Sequence, residues 1–123
     1  MRRFVLISAV IAFVSGAVGS ALGAEMTLTG ELVDHACFVN HGPENGSGSS
    51  HVACAKHCAM TGMTVALVTA AGDVYVVAGR VTADNNASLL PHMSHMVEVT
   101  GEVSEASDVK TITTTAIKHI SAN

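Results

Sequence analysis

An uncharged, largely apolar run from Phe4 to Val18 follows Met1-Arg2-Arg3 and precedes the small-residue stretch Gly19-Ser20-Ala21-Leu22-Gly23-Ala24. Basic start, apolar middle and small-residue end are the three parts of a secretory signal peptide, and the run is short for a membrane span. We expect a signal peptide over 1–24, cut after Gly23 or Ala24, and a single mature domain over 25–123. With no Cys near the cut, a lipid anchor is not expected. Beyond it the apolar spacing changes. Met26–Val33 has β-branched residues in partial alternation and predicts a strand, with Gly30 marking a bulge or bend. Gly42–Ser50 is loop-like by composition. His51–Thr61 is Ala-rich without Pro or Gly and predicts one short helix, with Ser50 as N-cap and Gly62 as the left-handed residue that ends it. Thr64–Thr69 and Val74–Ala78, joined at Ala71-Gly72-Asp73, predict a hairpin. Met96–Val103 alternates around Gly101, and Lys110–Ile120 is Thr- and Ile-rich, so both predict strands.

Five strands in about 100 residues, two with internal glycines, suggest a small curved sheet that closes on itself to remove its edges. The expected fold is mainly β: a five-stranded antiparallel barrel of the oligonucleotide/oligosaccharide-binding (OB) type, with one short helix inserted after the first strand. The expected core is Val65, Leu67, Val74, Val76, Val97, Val99, Ile112 and Ile117.

Charge narrows the partners. The mature part keeps all ten acidic residues but only Lys56, Arg80, Lys110 and Lys118, for a net charge of −6 with neutral His. Nucleic acid and anionic membranes both call for basic patches, so neither is an expected partner.

The chemistry lies in sulfur and imidazole. All three cysteines and all seven histidines fall in the mature part. On a helix, Cys54 and Cys58 share a face, and His51 stands three before Cys54 on that face. If the loop after the first strand folds over it, Cys37 and His41 join. Three thiolates and one imidazole form the donor set of a closed zinc site, and suit copper(I) equally. The competing reading is a disulfide, which an exported chain readily forms. Cys37 with Cys54 or Cys58 is the easier pair, because side chains at i, i+4 are spaced too widely for a bridge. Both readings stand on the sequence. A catalytic thiol has less behind it: Asp34-His35 and Cys37 are too close in sequence for a triad. There is also no C-x-x-C, C-x-x-C-H, H-E-x-x-H, G-x-S-x-G or phosphate loop. A non-enzymatic role is therefore expected.

A second cluster is Pro91-His92-Met93-Ser94-His95-Met96. His92, His95 and Met96 are secondary candidate metal ligands, with a preference for copper. They converge in a helical turn and diverge on a strand. His119 reads as a surface residue.

The order Asp34-x-x-Cys37-x3-His41, Cys54-x3-Cys58-x3-Gly62, Ala66-Leu67-Val68, Val74-Tyr75-Val76-Val77, Val97-x-Val99-Thr100-Gly101 and Ile112 to Ile120 resembles a family of small exported bacterial domains of unknown function. The resemblance implies an OB-like barrel and a shared group at Asp34, Cys37, His41, Cys54 and Cys58, with His41 favoured over His51 as the imidazole. It implies no activity. Phe38 in place of Gly, the long Gly/Ser loop and the 92–96 cluster depart from the pattern.

The expected function is that of a periplasmic or secreted metal-binding protein. A copper or zinc ion would be held for carriage, sequestration or structure, with another exported or membrane protein as partner in a carriage role. The alternative is a disulfide-stapled interaction module without metal.

Overall fold

The computed structural model describes residues 23–122. The expected signal peptide lies outside the described residues, save its last two positions. Among the described residues no helix is long and apolar enough to cross a membrane.

Six strands are formed: β1 Ala24–Asp34, β2 Val65–Thr69, β3 Val74–Ala78, β4 His95–Ala106, β5 Val109–Thr113 and β6 Ile117–Ala122. β1 pairs with β2, β2 with β3, β3 with β5, β5 with β4, and β4 returns to β1. This closed five-strand circuit is the expected OB-like barrel. One pairing, β3 with β5, is parallel, and β6 is a sixth strand outside the circuit. The long β4 carries both partners on one edge: β6 along His95–Val99 and β5 along Glu102–Ala106.

The predicted last strand is thus two. Its break falls at Thr114, a buried residue whose N–H donates to Ala78 O at 2.9 Å and whose hydroxyl donates to Thr100 O at 2.7 Å. A Thr-rich run has the same strand propensity throughout, so propensity alone did not show this corner. Gly30 does mark a bend. There β1 passes from β4 to β2, and a Cβ would stand 2.4 Å from Val68 O, which only glycine avoids.

Leu32, Leu67, Tyr75, Val77, Val97, Val99 and Ile112 fill the barrel. Of the expected core, Val65, Leu67, Val97, Val99 and Ile112 are buried, and Ile117 packs against them. β3 has the opposite parity to the expected one: Tyr75 and Val77 face inward, while Val74 and Val76 are only half-buried. Val-Tyr-Val-Val is apolar on both faces, so no polar residue marks the outer side.

Two helices, α1 His35–Gly46 and α2 Val52–Met60, follow β1, where one was expected. α1 breaks at Gly42, and its second part begins with Pro43. α2 buries the small residues Ala55 and Ala59 against the barrel end. Ser50 does not cap α2; His51 holds that position without a side-chain bond. Gly62, with φ +85°, follows the helix as expected. A short turn α3 (Ala83–Asn86) and flanking 3-10 turns connect β3 to β4 and supply Val81, Leu89 and Met93 to the core.

Candidate metal centre

Asp34 ends β1 and caps α1. Its Oδ1 accepts the backbone N–H of Cys37 at 2.7 Å, one of the donors a helix start leaves unpaired. The N–H of His35 donates to Thr64 O at 3.0 Å and ties the start of α1 to the segment entering β2. Cys37 is thereby fixed in the first turn of α1 at the barrel end.

Cys54 and Cys58 come from α2, one turn apart, beside the stripe of Ala55 and Ala59 that sits on the barrel. The far end of α2 is pinned by Asn86, which is buried and donates through Nδ2 to Ala59 O at 2.9 Å and Met63 O at 3.0 Å. Sequence reasoning missed Asn86. Asp84-Asn85-Asn86, all with positive φ, was its available signal, since these side chains tolerate the left-handed region.

The sulfurs of Cys37, Cys54 and Cys58 all lie within 4.8 Å of one another, and all three thiols are free. Cys37 and Cys58 are half-buried and Cys54 is exposed. No imidazole nitrogen belongs to this group. His41 is exposed on α1. His51, at the start of α2, is half-buried, and its Nε2 has no hydrogen-bond partner.

The spacing bears on both readings of the cysteines. Two sulfurs on one tetrahedral ion, each at about 2.3 Å from it, stand about 3.8 Å apart. A disulfide brings them to about 2.0 Å. The grouping, within 4.8 Å and with all three thiols free, is compatible with a shared ion and holds no disulfide.

The electrostatics hold two of the thiols in their protonated form. Asp34 is buried, and its Oδ2 takes no N–H or O–H donor. Its hydrogen bond with the Cys37 thiol, together with burial and the carboxylate's charge, pushes that thiol up to about 12 from an ordinary 9.0. Burial, then the charge of Asp34, then Cys54 push the Cys58 thiol up as well. Cys37 sits in the first turn of a helix, a place that normally lowers a thiol's pKa; here the carboxylate outweighs the helix. A nucleophilic cysteine needs the reverse shift, which Cys37 and Cys58 do not have. Beside this buried carboxylate, Cys37 and Cys58 become stable thiolates only when a cation joins them. The donor set fits a soft ion.

The second cluster divides. Met93 is fully buried in the core. β4 begins at His95, so Met96 points to the other face, into a groove of about 300 Å³ shared with Phe38, Pro43 and Val68. His92, on the turn before β4, and His95 remain near each other through a third residue. The His119 ring centroid is 5.6 Å from that of His92 and 5.3 Å from that of His95.

No protein-family model, no curated protein and no solved structure matches this chain.

Proposed function

We propose that this chain is an exported metal-binding protein that carries a soft cation on Cys37, Cys54 and Cys58. The observation that carries the proposal is the meeting of three free sulfurs within 4.8 Å at the junction of two helices and a barrel end. The all-sulfur set favours copper(I), which is satisfied by few soft ligands. Zinc almost always takes four ligands in structural sites and would leave one position for water, His51 or a partner's donor. Exposure of Cys54 leaves the ion open to hand-over, which supports carriage over a purely structural metal. The periplasm or the extracellular space is the proposed compartment, from the basic and apolar segment at 1–24. The resemblance to small exported domains belongs to the same proposal.

The test is a copper(I) titration of the reduced protein against a chromophoric competitor, with thiols counted on the protein as purified. One tight equivalent with sulfur-to-copper absorption, lost in Cys54→Ser and Cys58→Ser, is the expected result. A single free thiol as purified, with no metal taken up after reduction, would favour the stapled module instead.

A further inference from the structure

His119 reads from sequence as an isolated residue of the last strand, yet it stands in a group of three imidazoles. The register of β6 explains how. Val97 pairs with His119 and Met96 with Ser121, so Ile120 is an extra residue in β6. Directly paired residues share a face, and diagonal neighbours on that face come within side-chain reach. His119, opposite Val97, therefore lies on the His95 side of β4. A bulge of this kind re-aims side chains without ending the pairing. The 3-10 turn Leu90–His92 brings His92 to the same place from the preceding segment.

Two observations describe the group. The ring centroids are 5.6 and 5.3 Å from His119. Two imidazoles on one tetrahedral ion, with metal–nitrogen bonds of about 2.0–2.1 Å, have centroids about 5 Å apart. His92 Nδ1 and His95 Nδ1 are both buried without a hydrogen-bond partner, an uncommon state for imidazole nitrogens.

We infer that His92, His95 and His119 form a second metal site, for a borderline divalent cation such as Zn(II) or Cu(II), distinct from the thiol group. Imidazole donors suit these ions, as thiolates suit the softer ones. The nitrogens of the three rings do not yet meet the spacing the sulfurs do. Closure takes a rotation of His119, which is exposed on β6. The inference does not rest on the thiol site.

The experiment is a Zn(II) titration by calorimetry on protein with alkylated thiols, repeated on C37S/C54S/C58S as a second thiol-free background. Imidazole NMR resonances are followed in the same samples. One equivalent of Zn(II) is expected, with shifts confined to His92, His95 and His119. His119→Asn is expected to weaken binding at least about tenfold, the lower end of what even outer-sphere partners of a metal site are worth. His57→Asn, on the exposed side of α2, should leave it unchanged. Absence of Zn(II) binding in both backgrounds, equal affinity in His119→Asn, or shifts at His35, His41, His51 or His57 would overturn the assignment. The copper(I) titration of the reduced protein reads the thiol site separately, so either site can fail alone.

Discussion

At the scale of single residues, Asp34 sets the character of the thiol group. It caps α1 through one oxygen and acts on Cys37 through a hydrogen bond to the thiol and through its carboxylate charge. The consequence for pH has a definite sign. Cys37 titrates near 9.0 when unconstrained and at about 12 in the fold. Its contribution to stability is therefore complete below pH 9 and is lost as pH rises toward 12. Cys58 is shifted in the same direction. Urea unfolding of the reduced, metal-free protein at pH 8 and pH 10.5 should show the lower midpoint at pH 10.5. In Asp34→Asn the alkaline loss should shrink, although a weaker cap lowers the midpoint at both values. Metal uptake has the opposite dependence, because each thiolate must first give up a proton. Copper(I) affinity should fall by about 100-fold or more between pH 7.5 and 5.5. Equal affinity at the two values would point to carboxylate or Met ligands. Asn86 belongs to this scale too. Asn86→Ala removes two hydrogen bonds at the end of α2, one buried and one partly buried, and places alanine at φ +61°. A loss of about 2–3 kcal/mol is expected in chemical denaturation. Weaker metal binding should accompany it if the end of α2 positions Cys58.

At the scale of elements, the site depends on where two helices begin and end. The pairing of Cys54 with Cys58 was legible because a helix has a fixed period and the Ala-rich run announces one. Cys37 was placed correctly near them, but as part of a loop. The sequence signal for α1 was weak, since Gly42 and Pro43 interrupt any apolar periodicity and Asp34 is the only marker of a helix start. His41 follows from that difference: on α1 it is exposed, whereas a loop folding over α2 would have brought it to the sulfurs. Tertiary register hid His119. A one-residue bulge decides which face of β6 meets β4, and nothing in Lys118-His119-Ile120-Ser121 records it. The hydrophobic pattern gave the inward residues of β2 and β4 and failed for β3, where both faces are apolar. Gly30 shows the reverse case, a backbone requirement stated by the residue itself. Gly30→Ala should clash with Val68 O where β1 changes partners. About 1–3 kcal/mol of destabilisation is expected by thermal or urea unfolding. Retention of full stability would mean that the two strands separate there at little cost.

At the scale of the whole molecule, the barrel and the thiol group are coupled through one short stretch of chain. Cys37 follows directly on β1, and α2 leads into β2, so joining Cys37 to α2 closes the 37–58 segment onto the barrel end. The barrel core is built mainly from β1–β5 and includes none of the three cysteines. An ion and a disulfide would restrain the same segment, but they exclude each other, since sulfurs in a disulfide do not ligate as thiolates. Three states can then be compared in one protein: reduced without metal, reduced with copper(I), and oxidised. The reduced metal-free state should be folded and the least stable. Oxidation should add about 2–4 kcal/mol if the bridge forms without strain, the range for a single disulfide. The sulfurs must contract from their present separation to make that bond, so a smaller gain would measure the distortion. Copper(I) should stabilise by an amount that grows with free metal concentration, as binding to the folded state alone requires. Unfolding midpoints by circular dichroism, with copper(I) buffered at two levels, separate these contributions. A copper-independent midpoint, or equal midpoints in all three states, would show that the cysteines neither bind the ion nor restrain the fold.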